Sequence, residues 1–488
     1  MIKNKYFSCV IFTIATFILY NTAFNYDFVN LDDSGIYDNI LLQDFSFEGI
    51  KNIFLSFDAE MYQPLTSTFL AVVITLFGVK SATAFHVFNI LIHLFNVLLV
   101  YFITDKIQQN KTKGFLIAFI FAIHPLAVES VVWVSAISTL LFTFFFLIGL
   151  SFYINFIESD TKHFYYKSLL FFILGCLCKV QIIPFVGILF LTDYLYNKPI
   201  FSKKRLVQKI PFILIACVFI FIAIRIRDTN ERYTLITNSF SDFYFASVQI
   251  AWYIKKSLVP FPLVFIYNWP IKLTFLHHLS VVFLLMIFYS VYHFRRKKVY
   301  VFGALFFILN IILQTSLVSE FLVPYSDRYA YLSSLGVWIA LFAFFNKEQL
   351  KYSTPILLLL FFMLSKRQIK TWKNSETLWT HSLKYEPNAF SYNNLGSLYM
   401  GSDKEKAKAY FLKAVELPKY TSAYFNLGVL FFNTNRTKAE YYFNKSIELD
   451  PKKEKLFYNY HLLHLKYFGF HSHQHFLFFY LVLEMNHF

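Results

Sequence analysis

Residues 84–104 read AFHVFNILIHLFNVLLVYFIT and contain no charged side chain. A helix needs about 20 consecutive apolar residues to cross a bilayer. Similar apolar runs recur up to about residue 365, in a chain of 488 residues that is 57% hydrophobic and only 15% charged. Soluble domains carry about 25% charged residues. The sequence therefore predicts an all-α, polytopic membrane protein.

The apolar runs predict about 11 membrane spans. Lys and Arg form short clusters between the runs, and placing these clusters in cytoplasmic loops satisfies the positive-inside rule. This arrangement accounts for the net charge of +16 without a nucleic-acid partner. Two further stretches, 64–79 and 244–262, are expected to lie along the outer surface. The predicted spans are about 6–24, 84–104, 114–126, 136–157, 166–178, 181–196, 210–225, 277–294, 299–318, 331–345 and 354–366.

The end of the chain repeats itself. YNNLG at 392–396 recurs as YFNLG at 424–428, a spacing close to the 34 residues of tetratricopeptide repeats. We therefore predict a membrane domain over 1–367, a short tetratricopeptide-repeat solenoid over 368–460 and an irregular tail rich in aromatic residues and histidine over 461–488. With the N-terminus in the cytoplasm, an odd number of spans places the repeats on the outer side of the membrane.

Two adjacent acids, Asp32 and Asp33, follow the first apolar run in an acidic loop that opposes the basic balance of the chain. A carboxylate at this position can accept the proton of a hydroxyl group, although a solvated outer loop is the alternative. Lys179 and Arg328 fall at outer span ends, where their cations suit a phosphate. A snorkelling lysine and a surface Asp–Arg pair, Asp327 with Arg328, are the alternatives. Together the acids and cations suit transfer from a lipid-linked phosphate donor.

Polar side chains inside the predicted spans form a second group of interest. His86, Asn89, His93 and Asn96 are spaced to share one helical face. They either line a substrate groove or form hydrogen bonds between helices.

Another polar group interrupts an apolar run at His124, Pro125 and Glu129. A helix broken by proline can aim polar groups into a cavity, and a purely structural role is equally open.

An ordered set of motifs resembles the transmembrane and tetratricopeptide repeat-containing family, whose eukaryotic members are O-mannosyltransferases. The resemblance covers about residues 25–450. The motifs are FVNLDD (28–33), YQPLT (62–66), the polar helix at 86–96, HPLAVESVVW (124–133), Lys179 with Pro184, SDRYAYL (326–332) and WKNSETLW (372–379).

This resemblance implies a GT-C glycosyltransferase fold with its active site at the outer face and a polyprenyl- or dolichyl-phosphate sugar as donor. It makes Asp32 the candidate base, with Asp33 orienting the acceptor or a metal, and Lys179 and Arg328 the ligands of the donor phosphate. No cofactor is certain, and a divalent cation is left open because only some related enzymes need one. The implied substrate groove contains His86, Asn89, His93, His124, Glu129 and Asp327.

The leading hypothesis is therefore a glycosyltransferase of the cytoplasmic membrane that moves a mannose-like sugar to a hydroxyl acceptor, on a protein or peptide held by the repeats. The alternative is a non-enzymatic, membrane-anchored repeat scaffold for envelope assembly. At Ser135-Ala136-Ile137-Ser138 the chain lacks a charged stretch of the bacterial relatives, which favours the scaffold. A transporter is disfavoured because most polar groups cluster at outer span ends.

Overall fold

A computed structural model gives the structure of the chain. The described part consists of helices and connecting loops without a β-strand, which confirms the all-α prediction. The chain divides into two compact units, Met1–Glu386 and Pro387–Phe488. The predicted tail at 461–488 lies outside the described part. The described residues are 5–57, 61–230, 240–269, 274–318, 324–417 and 420–450.

The first unit is a bundle of long apolar helices joined by short loops. Prolines divide its apolar runs: Pro125 follows the end of α6, and Pro184 precedes α10, because proline cannot supply a backbone N–H inside a helix. Short 3₁₀ turns lie at Asn21–Asn25, Ile40–Gln43, Val134–Ala136, Val180–Ile182 and Asp327–Tyr329. The helices are α1 Lys5–Tyr20, α2 Ser34–Tyr37, α3 Phe47–Leu55, α4 Pro64–Phe77, α5 Ala82–Gln108, α6 Lys111–Ile123, α7 Ala127–Val132, α8 Ile137–Ser159, α9 Lys162–Cys178, α10 Phe185–Leu195, α11 Lys203–Asn230, α12 Phe240–Leu258, α13 Phe275–His293, α14 Lys298–Ile312, α15 Ala330–Phe342, α16 Lys347–Thr371 and α17 Ser375–Tyr385.

Four helical segments in the described part are long and apolar enough to cross a membrane: Lys5–Asn25, Ala82–Gln108, Val134–Ser159 and Lys203–Ile226. Most of the other predicted spans correspond to shorter helices, such as Lys298–Ile312. Membrane association therefore rests on four helices, fewer than the 11 spans that the sequence predicted. The difference arises because several predicted spans correspond to helices of 11 to 17 residues, shorter than the about 20 residues that cross a bilayer.

Helix α11 presents an apolar surface to its surroundings. Leu214, Val218 and Phe221 are 61%, 55% and 57% exposed. Only 17% of the most apolar stretch within Lys203–Ile226 is buried. Exposed apolar surface of this extent is unfavourable in water and typical of a membrane contact. A helix with this pattern is therefore suited to face lipid.

Basic side chains gather at one end of the bundle. Lys106, in the last turn of α5, forms an ion pair of 2.6 Å with Glu158 in the last turn of α8. Lys204, in the first turn of α11, pairs with Asp160 at 3.0 Å. These basic side chains lie at the opposite end of α5 from His86, which lies near the N-terminal end of that helix.

The segment after α16 belongs to the first unit. The indole Nε1 of Trp379 donates to Asn30 Oδ1 at 2.6 Å, and the backbone N–H of Asn30 donates to Ser375 Oγ at 2.8 Å. These bonds attach α17 to the loop that carries Asp32. The structure therefore groups residues 368–386 with the membrane unit, whereas the sequence placed the boundary after residue 367.

The described part of the second unit contains two helical hairpins with matching positions 32 residues apart. Asp403 and Asn435 each cap a helix by accepting a backbone N–H three residues later at 3.0 Å, as N-cap side chains do. Gly396 faces the Phe411 ring so closely that a Cβ would overlap it, and Gly428 faces Phe443 in the same way. The helices are α18 Ala389–Tyr399, α19 Lys404–Val415, α20 Thr421–Phe431 and α21 Arg436–Leu449.

Candidate functional site

The fold brings together charged residues from four distant segments of the first unit. The cations Lys179 and Arg328 interact electrostatically with each other and with both carboxylates, Asp32 and Glu129. Asp32 follows α1, Glu129 lies in α7, and Lys179 lies between α9 and the 3₁₀ turn Val180–Ile182. Of these residues, the sequence predicted Asp32, Lys179 and Arg328 as one site.

Arg328 is held by a buried carboxylate. Its Nη1 donates to Glu129 Oε1 at 2.7 Å, and Ser326 Oγ donates to the same oxygen at 3.0 Å. The guanidinium also lies over the rings of Trp133 and Phe265, 5.2 and 5.7 Å from their centroids. Arginine stacks on aromatic faces while its remaining N–H groups stay available. About a fifth of the Arg328 side chain (19%) is exposed.

Lys179 is a buried cation with a single described hydrogen-bond partner. Its side chain is 8% exposed, and Nζ donates to Thr139 Oγ1 at 3.1 Å. Burial, together with the neighbouring charge of Arg328, lowers the pKa of Lys179 to about 7, although the charges of Glu129 and Asp32 act in the opposite direction. A bound anion would raise this pKa and favour the charged form.

Asp32 is an exposed carboxylate at the same end of the bundle. The surrounding protein excludes part of the water that would solvate the carboxylate, and this desolvation raises the pKa of Asp32. The effect exceeds the opposing influence of the Arg328 and Lys179 charges. A carboxylate with a raised pKa is a better proton acceptor. Asp32 is therefore accessible and electrostatically linked to both predicted phosphate ligands.

Asp33 has a different environment, although it is adjacent in sequence. It is 1% exposed, and Oδ2 accepts the backbone N–H of Val29 at 2.9 Å. Oδ1 accepts the backbone N–H of Ser135 at 3.1 Å and its hydroxyl at 2.5 Å. Burial raises the pKa of Asp33 to about 6 in spite of these donors. Asp33 thus links the acidic loop to the segment at 135–138, where the chain lacks the charged stretch of the resembling family.

A small recess lies beside the cations and is partly open to solvent. Lys179 and Arg328 both contribute to its wall. The other lining residues are mostly uncharged and polar or aromatic. The complete lining comprises Thr139, Phe142, Lys179, Gln181, Asn310, Gln314, Arg328, Tyr329 and Leu332.

Asp327 lies next to Arg328 in sequence but does not line the recess. It is 2% exposed and accepts the Tyr267 hydroxyl at 2.9 Å. Burial, reinforced by the charge of Glu129, raises the pKa of Asp327 well above its usual range. The structure therefore places this predicted groove residue in the support of the 3₁₀ turn that carries Arg328.

The polar face of α5 is buried in the bundle. His93 Nδ1 lies 2.7 Å from the Tyr331 hydroxyl, and its Nε2 lies 3.1 Å from the carbonyl of Ala122. Asn89 Nδ2 donates to the carbonyl of Trp133 at 3.2 Å. These hydrogen bonds agree with the alternative in which the polar face of α5 bonds to neighbouring helices. The bond from Asn89 also holds Trp133, whose ring lies against Arg328.

Two histidines of the predicted groove are also buried. His86 is 2% exposed and lies beside the backbone of Tyr26. His124 accepts the Leu126 N–H on Nδ1 at 3.1 Å, and its Nε2 lies 3.0 Å from the carbonyl of Ser257. Neither histidine lines the recess.

Sequence reasoning missed the uncharged residues of the recess, among them Thr139, Gln181, Asn310 and Gln314. Asn310 and Gln314 are four residues apart near the outer end of the predicted span 299–318, so their rarity in an apolar run was a usable signal. Gln181 and Thr139 gave no comparable signal, because only the tertiary structure brings them to Lys179.

Metal ligands were left open by the sequence. Within the described ranges, no group of three or more His, Cys, Asp or Glu side chains is arranged to hold a metal ion.

Comparison with known proteins identifies one part of the chain. The tetratricopeptide-repeat family model matches residues 391–420, which span most of α18 and all of α19. No curated protein matches the chain. No solved structure matches it either. The second unit therefore contains a tetratricopeptide repeat, a class of module built from stacked helical hairpins.

Proposed function

We propose that the first unit is a GT-C-type glycosyltransferase that moves a sugar from a polyprenyl-phosphate donor to a hydroxyl acceptor at the outer face of the membrane. One observation carries this proposal. Asp32, Lys179 and Arg328, which come from distant parts of the chain, lie within electrostatic reach of one another, and both cations border an open recess. A base beside two phosphate ligands is the minimum that such a transfer needs.

The residues have separate roles in this reaction. Asp32 takes the proton of the acceptor hydroxyl, and the acceptor oxygen forms a bond to the anomeric carbon of the sugar. The bond between that carbon and the phosphate oxygen breaks, and the phosphate stays on the lipid with the electron pair. Lys179 and Arg328 stabilise the charge that develops there. Attack from the opposite face inverts the anomeric carbon.

Further observations support the setting. The ordered motifs of the acidic loop, SDRYAYL and WKNSETLW resemble the O-mannosyltransferase family, which favours a mannose-like sugar and the larger number of spans. The exposed apolar side chains of α11 suit a lipid-facing helix. The repeat at 391–420 suits capture of a protein or peptide acceptor.

Photo-crosslinking tests the donor site directly. A polyprenyl-phosphate sugar that carries a photoreactive group next to the phosphate is expected to label peptides that contain Lys179 or Arg328. Lys179→Met and Arg328→Met should each reduce labelling strongly, because each removes one cation. Lys106→Met, at the basic end of the bundle, is the matched control and should label normally. Labelling at the basic end alone would contradict the proposal.

A membrane-anchored repeat scaffold is the second candidate, and the match to a tetratricopeptide repeat favours it. The two candidates differ in which substitutions and truncations remove function. A scaffold needs the repeats and tolerates loss of Asp32, whereas the enzyme needs Asp32. Complementation of a deletion strain by Asp32→Asn, together with failure of a chain truncated after Glu386, would favour the scaffold.

The side of the membrane can be tested separately. A reporter that is active only outside the cytoplasm, fused after residue 488, is expected to be active. Activity of a cytoplasm-specific reporter at the same position would place the repeats on the wrong side for an outer-face acceptor.

A further inference from the structure

The C-terminal end of α16 carries a cluster of basic side chains. Lys366, Arg367, Lys370 and Lys373 follow the apolar part of the helix, and the sequence contains no acidic residue from position 349 to position 375. In the described part of the chain, none of the four takes part in an ion pair. A lone lysine at the end of an apolar helix reaches the membrane surface without a specific partner, whereas a cluster without acidic neighbours favours an anionic ligand.

This cluster lies at the end of the bundle that carries the candidate site. The backbone N–H of Asp27 donates to the carbonyl of Lys373 at 3.2 Å, and α17, which follows the cluster, is bonded to Asn30. The basic residues Lys106 and Lys204 lie at the opposite end of the bundle. The positive-inside rule accounts for bases at one end, so the cluster on α16 needs another reason.

An exposed apolar strip leads to the cluster along α16. Ile356, Leu359 and Met363 are 73%, 62% and 62% exposed, and steps of three and four residues place them on one face of the helix. Lys366 and Lys370 continue the same steps. This face therefore changes from apolar to cationic within one turn.

A second exposed strip, on α1, ends at the same place. Ile14 and Ile18 are each 53% exposed, and Asn21 follows at the next step along that face. Lys366 Nζ donates to Asn21 Oδ1 at 3.0 Å, which joins the ends of the two strips. The segment Lys5–Asn25 is long and apolar enough to cross a membrane, so both strips are suited to contact lipid.

We propose that the ends of α1 and α16 at Asn21 and Lys366 form a binding site for an anionic phospholipid. The two apolar strips contact its two acyl chains, and Arg367 and Lys370 bind the phosphodiester of its headgroup. Basic residues beside membrane helices recognise anionic headgroups in this way.

Arg367 is held in position for this role. Its Nη2 donates to the Tyr385 hydroxyl at 3.0 Å, and its guanidinium lies 5.4 Å from the centroid of the Phe261 ring. The planar guanidinium has further N–H groups that match phosphate oxygens. Lys370 is exposed and can reach the same headgroup.

The phospholipid site is separate from the recess and does not depend on sugar transfer. Neither Arg367 nor Lys370 lines the recess. A polyprenyl phosphate has one chain and would leave one strip uncovered, so a phospholipid with two chains is the better match. A bound phospholipid would attach α16, and through α17 the loop that carries Asp32, to the membrane surface.

Photo-labelling of the full chain in detergent tests this site. The probe is phosphatidylglycerol with a photoreactive acyl chain, and labelled peptides that contain Ile18 or Met363 are quantified. Unlabelled phosphatidylglycerol should compete about tenfold better than phosphatidylcholine, whose headgroup has no net charge. Arg367→Gln combined with Lys370→Gln should weaken binding of the probe by about thirtyfold, because each cation near an anionic lipid contributes about fivefold.

Lys404→Gln combined with Lys413→Gln is the matched control, because it removes two exposed cations from the second unit. This control should bind the probe normally, and both double variants should melt within about 2 °C of the wild type. Unchanged labelling of the Arg367/Lys370 variant would overturn the proposal.

Competition on the wild type tests the proposal without any variant. Equal competition by phosphatidylcholine and phosphatidylglycerol would overturn it, because the cations would then contribute nothing. Competition by inorganic phosphate at the same concentration as the lipid would overturn it by showing a site for free anions. Polyprenyl phosphate that competes as well as phosphatidylglycerol would overturn it by showing a site for the sugar donor.

Discussion

Arg328 and Glu129, 199 residues apart in sequence, form an ion pair of 2.7 Å between Nη1 and Oε1 in the first unit. Glu129 is almost fully buried, and Arg328 is partly exposed. The carboxylate therefore fixes one edge of the guanidinium and leaves the remaining donors for an anion in the recess. Glu129 acts as a positioning residue, and the sequence had assigned it to the substrate groove.

Loss of this carboxylate should destabilise the first unit. Glu129→Ala leaves the Arg328 cation without its partner, which typically costs about 3–5 kcal/mol for a buried pair. Thermal unfolding in detergent measures the effect. Glu158→Ala, which breaks the exposed pair with Lys106, is the control and should cost at most about 1 kcal/mol. Equal effects of the two substitutions would show that Glu129 is not a special anchor.

Donor binding should weaken as the pH rises through neutrality. Lys179 has a pKa of about 7, so its cation is present below that pH and lost above it. The phosphodiester of a lipid-phosphate sugar keeps its charge over this range. Affinity is therefore expected to fall about tenfold between about pH 6 and about pH 8.

Lys179→Arg is the matched variant for the pH experiment, because an arginine stays charged throughout. Its affinity for the donor should be nearly independent of pH. A wild-type affinity that is flat over the same range, or an equal slope in the variant, would contradict the assignment of Lys179 to the phosphate.

The two adjacent acids should respond differently to amide substitution. Asp33→Asn places an amide N–H group against the donors of Val29 or Ser135, so we expect a loss of about 1–3 kcal/mol in the free energy of unfolding. Asp32→Asn should change stability by less than about 0.5 kcal/mol, because Asp32 is exposed. Chemical or thermal unfolding of both variants measures the difference. A larger loss for Asp32→Asn would reverse the roles assigned to the pair.

A small substitution should disrupt the repeat hairpin. Gly396→Ala introduces a Cβ that overlaps the Phe411 ring, and overpacking of this kind costs about 1–3 kcal/mol. Gly401→Ala is the control, since no atom lies within 4 Å of its Cβ position. Limited proteolysis of the full chain reports the change in the second unit. Equal protease resistance of the two variants would argue against close packing at Gly396.

The helical class and the repeat were predictable from the sequence because both depend on local pattern. Apolar runs predicted where the long helices lie, and the spacing of Gly396 and Gly428 predicted the hairpins. The number of spans was less predictable, because several apolar runs form helices of only 11 to 17 residues, and hydropathy does not show where such a helix ends.

The charged part of the site was predicted, but its supports and its amide wall were not. Residue type and predicted side of the membrane singled out Asp32, Lys179 and Arg328. In contrast, the partnership of Asp33 with Ser135 joins residues 102 positions apart. Such long-range contacts leave no periodic signal, so only the folded structure separates the roles of the two aspartates.

Sugar transfer in proteoliposomes tests the central claim most directly. The full chain is reconstituted with polyprenyl-phosphate mannose and a panel of hydroxyl-bearing peptides, and labelled product is counted for the wild type and Asp32→Asn. We expect transfer by the wild type and a loss of about 10²–10⁴-fold in the variant, the usual effect of removing a general base. Donor binding by the variant should be retained. Full activity of Asp32→Asn, or no transfer by a wild type that binds the donor, would contradict the account.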